Sequence, residues 1–489
     1  MEIFITLAMI LLPVLTGIAL PVFKISNRPG KLALITFVLA VEAILGIAVF
    51  FLRFDGFTLV EMTRTLSIAF FADEITRLFV LIFSIAWLFV GIYAFVYIQH
   101  EGNEDSFFAF YLVVEGCLLG MAFASNLVTM YLFFEMITLT SMPLVLHNRS
   151  KESIAAALKY LYYSIVGAFL ALFCIFVIAE YTDSLDFIAG GSLNSSALAG
   201  HDALLLIAVF LGVIGFGAKA GMYPLHGWLP SAHPVAPAPA SAVLSGIIAK
   251  AGVLAIIRIM FYCVGTDFLA GTWVQYALIA LAAATVFMGS MMAYKEKVFK
   301  KRLAYSTVSQ ISYVLVGLFF MTPVSITGGL MHIIFHAAIK VTLFLVAGSV
   351  IFNTGKTRVD ELRGIGKEMP ITIWSYTIAS LALIGIPPAS GFVSKWYLAT
   401  GALDSGVSVL SWLAPVILLI SALLTAGYLL PITISGFFPG HDYVFNGEKC
   451  EKSKAMWLPI AILSALTLLM GIFSAPISDW LSGIAGLIA

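Results

Sequence analysis

Charge is what this chain has least of. Only 11% of its 489 residues are Asp, Glu, Lys or Arg, against roughly 25% in a soluble domain, while 61% are hydrophobic. That balance excludes a soluble globular enzyme and counting domains by length. Basic and acidic residues cancel at 26 each, so there is no excess positive charge to hold nucleic acid. Cysteine is scarce as well. Cys117, Cys174, Cys263 and Cys450 make no CxxC pair, which leaves no iron–sulfur or zinc framework and no disulfide scaffold. Gly215-x-Gly-x-x-x-Gly221 has the wrong spacing for a dinucleotide fingerprint, and Lys219 is followed by Ala rather than Ser or Thr, so no Walker loop forms. No catalytic triad or haem motif is present. No cofactor, no metal and no catalytic centre of its own are expected.

What the chain does have is apolar runs. A helix needs about 20 apolar residues to cross a bilayer. That rule gives about fourteen spans, near 3–23, 32–52, 78–97, 107–124, 127–146, 154–179, 203–223, 240–262, 273–294, 303–320, 326–352, 371–398, 409–437 and 456–473. The expected fold is an all-α polytopic membrane protein. Glu2 stands where a secretory signal would be basic, so the first run is read as a span. Alternate loops are strongly unequal in charge. One set holds Lys24, Arg28, Lys31, Arg149, Lys151, Lys295, Lys297, Lys300, Lys301, Arg302, Lys356, Arg358, Arg363, Lys367, Lys449, Lys452 and Lys454; the opposite set holds Arg53 and Arg64. The positive-inside rule makes the first set cytoplasmic, with the N-terminus outside, in the cytoplasmic (inner) membrane.

Two spans are interrupted. The seventh reads Gly215-Phe-Gly-Ala-Lys219-Ala-Gly-Met-Tyr-Pro224, and the twelfth reads Gly385-Ile-Pro-Pro-Ala-Ser-Gly391 before Lys395. Such breaks survive in a bilayer only where protein or a wet cavity surrounds the freed backbone. They lie five spans apart. This predicts two inverted five-helix repeats with discontinuous helices 7 and 12, hence a transport path near the midplane. The expected units are helices 1–3 (1–105), a first repeat of helices 4–8 (106–262), a second repeat of helices 9–13 (263–437) and helix 14 (438–489).

The scarce charges are placed where they are most costly. Lys219, Lys250, Lys340, Lys395 and Glu135 each sit inside an apolar run, at ~2.5 kcal/mol or more per charge at the bilayer centre. Burial favours a neutral amine, and a nearby carboxylate favours the ammonium. At ~7 Å and an effective dielectric of ~20 that attraction is about 2.4 kcal/mol, enough to switch a lysine near neutral pH. Glu135 is the candidate carboxylate for Lys219; the alternative is a static ion pair. His332, His336 and Lys340 follow at i, i+4 and i+8, on one helical face about 6 Å apart. This alignment suits a proton relay, and two histidines without a third ligand make a weak metal site. Lys159, Arg77 and Arg258 lie nearer span ends and read as snorkelling or packing groups. Glu42 and Glu115 are intramembrane and carry no assignment.

The run Pro224-Leu-His226-Gly-Trp228-Leu-Pro230-Ser-Ala-His233-Pro-Val-Ala-Pro237, followed by Ser241-Ala-Val-Leu-Ser-Gly-Ile-Ile-Ala-Lys250, resembles the signature of a particular family. So do Lys301-Arg-Leu-Ala-Tyr-Ser306-Thr-Val-Ser-Gln310 and the break before Lys395. The family comprises the antiporter-like subunits of respiratory complex I, Mrp-type cation/proton antiporters and membrane-bound hydrogenases. The resemblance implies the fourteen-helix inverted-repeat fold. It makes Glu135 and Lys219 a regulated pair, Lys250, His332, His336 and Lys340 the central hydrated axis, and Lys395 the terminal site facing the far side. Ser231 departs from the Asp or Asn common at that position, so no role is carried over there. Lys395 replaces the Glu of some complex I members and groups the chain with the other branches. Few residues follow span 14, so no long lateral helix is expected.

These readings converge on a proton-translocating membrane subunit of a complex I-like or hydrogenase-type redox complex (NADH or ferredoxin dehydrogenase, or hydrogenase). Its partners would be other membrane subunits, the lipid bilayer, protons and Na+, with no nucleic acid. The alternatives are an Mrp-type sodium/proton antiporter protein of the D-subunit type without redox chemistry, a stand-alone solute carrier, and a purely structural membrane arm.

Overall fold

The computed structural model describes residues 2–23, 27–52, 54–63, 66–445, 449–451 and 453–489. Lys24, Arg53, Arg64 and Lys452, counted above among the loop charges, lie outside the described residues. Among the described residues, 12 helices are long and apolar enough to cross a membrane. They coincide with expected spans 1–9, 11, 13 and 14, so this is a multi-pass membrane protein.

The other two expected spans differ for physical reasons. Span 10 is the Phe299–Phe319 helix, 21 residues long. It carries Ser306, Thr307, Ser309, Gln310 and Ser312, all buried against protein rather than lipid. Span 12 is divided into Pro370–Ile384 and Ser390–Asp404, 15 residues each. Length and apolarity alone thus give twelve; a count of fourteen includes one helix with a polar interior face and one pair of half-helices.

Both expected breaks are present. Span 7 runs as Asp202–Ala220, turns through Gly221, and resumes as the short helix Leu229–Val235. Gly221 has φ 79° and Gly385 φ 92°, left-handed values that an L side chain resists. The carbonyls left open at each break are satisfied from within the protein. At span 7 the Trp228 indole Nε1 donates to Ala218 O at 2.8 Å. At span 12 the Lys395 Nζ donates to Leu383 O and Ile384 O at 2.6 and 2.9 Å, so its amine sits at the negative end of a helix.

Spans 8 and 11 form the centre. Span 8, Ala238–Val264, is buried along its whole apolar window and contains two π-helical stretches, Leu244–Ile248 and Arg258–Val264. Span 11, Pro323–Thr354, opens with a Thr322/Ser325 capping box. It packs chiefly along the second half of span 12, whereas span 6 packs chiefly along the first half of span 7.

Two elements were not foreseen. An antiparallel hairpin, β1 (Phe54–Glu61) and β2 (Ser67–Ala72), sets Phe57 opposite Phe70. A terminal helix, Ser474–Ile488, buries Leu481, Ile484, Ala485 and Ile488. Its Trp480 Nε1 donates to Glu74 Oε2 at 3.1 Å. Span 3 also begins earlier than expected, at Glu74, so Arg77 lies in its first turn and pairs with Glu74 at 2.6 Å.

Candidate functional site

Span 7 carries Lys219 in its last turn before the break. The side chain is 1% exposed. Its Nζ donates to Phe134 O at 2.9 Å and Thr138 Oγ1 at 2.6 Å, and lies 4.1 Å from the Phe134 ring centroid. The amine is therefore held by span 5, but not by an ion pair. Glu135, the next residue after Phe134, is half-buried, and its Oε1 has no hydrogen-bond partner. The expected pair shares one helix turn without closing: among the described residues, no Lys219–Glu135 contact falls within 4.0 Å.

The π-helical turn of span 8 has a direct consequence for Lys250. Widening the helix at Leu244–Ile248 frees the Ser245 carbonyl from the regular ladder. Lys250 Nζ donates to that oxygen at 2.8 Å and sits 2.8 Å from His336 Nδ1 on span 11. The i, i+4 spacing then carries the contact onward. The His336 and His332 rings stack at 5.9 Å and 22°, and Tyr313 of span 10 stacks on His332 at 5.5 Å and 16°. His332 Nδ1 meets Ser394 Oγ at 2.9 Å, and its Nε2 meets Gln310 Oε1 at 3.2 Å. Lys395, the next residue after Ser394 and half-buried, has its Nζ 5.0 Å from the Tyr313 ring centroid. Toward the other end of span 11, Lys340 Nζ donates to Leu303 O at 3.1 Å and to Ser306 Oγ. Ser245 and Thr307 hydroxyls meet at 2.6 Å.

Lys250, His336, His332 and Lys395 therefore follow one another in space, joined by a polar contact only between Lys250 and His336. His336 meets His332 ring to ring, Lys395 meets the Tyr313 ring, His336 Nε2 has no hydrogen-bond partner, and Lys340 approaches through the polar face of span 10. Lys219 is brought alongside rather than bonded in. A Cβ on Gly252 would lie 2.5 Å from Phe216 O, so span 8 presses directly on span 7 there. No hydrogen bond links the Lys219 and Lys250 amines among the described residues.

Sequence reasoning missed the hydroxyl and amide groups between the titratable residues: Thr138, Ser245, Ser306, Thr307, Gln310 and Ser394. For span 10 a signal existed. Ser306, Gln310 and Tyr313 recur at i, i+4 and i+7, the spacing of one helical face. His233 was quoted but given no role. It is 0% exposed, stacks on Phe344 at 4.6 Å, and neither ring nitrogen has a partner.

Two peripheral residues are placed plainly. Arg258 is buried and bidentate to Asp73 at 2.6 and 2.8 Å, amid the Phe71, Phe187 and Tyr262 rings. It packs rather than snorkels. Lys159 donates to Ser231 Oγ at 2.9 Å.

Similarities to known proteins agree with this architecture. NADH-quinone oxidoreductase subunit N of Desulforudis audaxviator is 32% identical over 408 residues, covering 79% of this chain and 78% of that one. The D-type subunit of the Na(+)/H(+) antiporter of Bacillus subtilis is 31% identical over 420 residues, 84% of this chain and 80% of that one. A chain of the membrane-bound sulfane sulfur reductase, an archaeal respiratory membrane complex, superposes with a TM-score of 0.87 at 21% identity, over 99% of this chain and 97% of that one, and so shares the fold. The transmembrane family model of NADH:quinone oxidoreductase and Mrp antiporters matches residues 124–425, the stretch that holds Glu135, Lys219, Lys250, His332, His336, Lys340 and Lys395, and the chain belongs to that family.

Proposed function

We propose that this chain conducts protons across the cytoplasmic membrane as an antiporter-like subunit of a complex I-like or hydrogenase-type redox complex. Electron transfer in partner subunits supplies the energy. The observation that carries this reading is the buried contact between Lys250 Nζ and His336 Nδ1 at 2.8 Å, continued through His332 to the Lys395 end. A titratable amine bonded to a titratable imidazole has one chemically natural use, passing a proton.

Lys219 would be the loading site. Its charge is set by Glu135, which stands off from it, so a modest shift of either side chain changes their attraction. Lys250, His336, His332 and Lys340 would carry the proton inward, and Lys395 would release it. Residues 106–262 and 263–437 would each supply one half-channel, with 1–105 and 438–489 packed around them. The surplus of Lys and Arg on alternate loops supports a cytoplasmic position for those loops and an outside N-terminus. Lifting one charge against ~150 mV costs about 3.5 kcal/mol, comparable to the pair coupling worked above.

The test is Lys219→Ala in the assembled complex, reconstituted in vesicles. Electron transfer with proton pumping abolished supports the mechanism; undiminished pumping sinks it. The similarity to a Na(+)/H(+) antiporter protein favours one second reading, exchange of Na+ for protons without electron chemistry. Isolating the intact complex separates the two. A redox protein among its partners supports the first, and small membrane proteins alone support the second.

A further inference from the structure

Outside the axis, one cluster of buried titratable groups has no use in this mechanism. Glu42 of span 2 is 0% exposed and Glu115 of span 4 is 1% exposed. All four carboxylate oxygens lack a hydrogen-bond partner. The packing fixes their common level. On one side, a Cβ on Gly91 of span 3 would touch Leu39 and Tyr111; on the other, a Cβ on Gly46 would touch Ser84. Glu42 lies between Leu39 and Gly46, Trp87 between Ser84 and Gly91, and Glu115 one turn beyond Tyr111. The three side chains belong to one layer of the N-terminal helices. A second observation is independent of the acids. The Trp87 indole Nε1 is also buried and without a partner, although its ring packs against Tyr111 at 4.8 Å, tilted by 31°, and its carbonyl accepts from Tyr111 Oη at 2.6 Å.

No amine balances this layer. The ionisable group of span 1 is Glu2, at its start. Arg28 and Lys31 of span 2 pair with Glu104 and Asp105, and Arg77 of span 3 pairs with Glu74. The other titratable groups on the elements packed around it are Tyr93, Tyr97, His100 and Glu101 of span 3, Tyr111 and Cys117 of span 4, Tyr131 and Glu135 of span 5, Lys250, Tyr262 and Cys263 of span 8, His332, His336 and Lys340 of span 11 and Lys454 of span 14. Among the described residues Lys250 is held by Ser245 O and His336, Lys340 by Leu303 O and Ser306, and Arg258 by Asp73. A dry carboxylate without a counter-charge is not sustained. The pair is neutral only when it holds two unit positive charges, and the unpartnered Trp87 N–H of the same layer is a donor for which the carboxylate oxygens are the natural acceptors.

We propose that Glu42 and Glu115 form a second cation site, off the lysine–histidine axis, that holds one fixed proton and one exchangeable small cation, H+ or Na+. This inference does not rest on the proposed function. It concerns helices outside the proposed repeats as well as span 4, and survives if Lys219 proves dispensable.

Difference infrared spectroscopy on the assembled complex in native lipid tests it. The expected result is a protonated-carboxyl stretch at neutral pH that shifts in D2O. It should weaken in Glu42→Gln and Glu115→Gln, vanish in the double variant and persist in Lys219→Ala. If the exchangeable ion is H+, adding NaCl at fixed pH leaves the band unchanged. If it is Na+, adding NaCl diminishes the band and alters the fluorescence that Trp87→Phe removes. Trp87→Phe keeps an aromatic ring but removes the N–H, and should move the band without abolishing it, a control should the double variant fail to assemble. The absence of such a band in the unmodified complex, or its persistence in the double variant, overturns the proposal.

Discussion

Replacing Lys250 by Met separates transport from stability more cleanly than any other change. The amine makes two contacts, to Ser245 O and His336 Nδ1, both at 2.8 Å. Hydrogen bonds between helices in a membrane average ~0.6 kcal/mol and reach ~1.7. Losing two of them costs at most about 3 kcal/mol, and Met fills most of the volume, so the complex should still assemble. Transport is affected differently. A proton resting on His336 loses its neighbouring partner, and a hydrogen bond to a charged group is worth ~1.5–3 kcal/mol. At 1.36 kcal/mol per tenfold, proton flux should fall on the order of 10- to 150-fold. The assay is dye-reported acidification of vesicles holding the intact complex, with assembly checked on native gels and electron transfer measured in parallel. Assembled Lys250→Met that pumps within about twofold of the unmodified complex would refute the continuity of the axis.

Four further changes probe other parts of the structure. Asp73→Leu strands the Arg258 guanidinium among aromatic rings; with Asp73 21% exposed, the loss should be near ~3 kcal/mol, the low end for such pairs, read as a lower thermal unfolding midpoint with the axis residues untouched. Gly391→Ala would put a Cβ 1.9 Å from Ala382 O and force the halves of span 12 apart, at about 1–3 kcal/mol and with impaired transport, whereas Gly486→Ala, with nothing within 4 Å, should be silent in both assays. Partial burial disfavours the Glu296 carboxylate, but the Lys301 ammonium and the Val298 and Lys297 N–H groups outweigh this and hold it below the usual range. Its contribution is then complete above the ordinary carboxylate range and fades as pH falls through the lowered value, so protease cleavage of the loop should rise in acid, and Glu296→Gln should remove that pH dependence.

Much of the site was legible because a bilayer punishes exceptions. A lysine inside an apolar run stands out whatever the fold, and so does a Gly/Pro break. The hairpin was not legible, because residues 54–72 are short, mixed in polarity and stabilised by pairing with each other. The terminal helix Ser474–Ile488 was missed for a similar reason: at 15 residues it is too short to span, and packing alone fixes it. Glu135 shows a third limit. The sequence marks it as a buried acid beside Lys219, yet its helix turns it half outward, so attraction acts across a gap rather than through a bond.

By itself, then, the sequence determined the membrane class, the spans built on apolarity, the two interruptions and the identity of every titratable group in the interior, because each follows from local composition and helical spacing. The tertiary structure alone decided which of those groups meet. Lys250 reaches His336 because a π-helical turn frees a carbonyl; Lys395 folds back onto the half-helix before it; and span 10, too polar to read as an ordinary lipid-facing helix, supplies the hydroxyls and amide that join them. Those relations depend on distances between segments far apart in the chain, which no local pattern encodes.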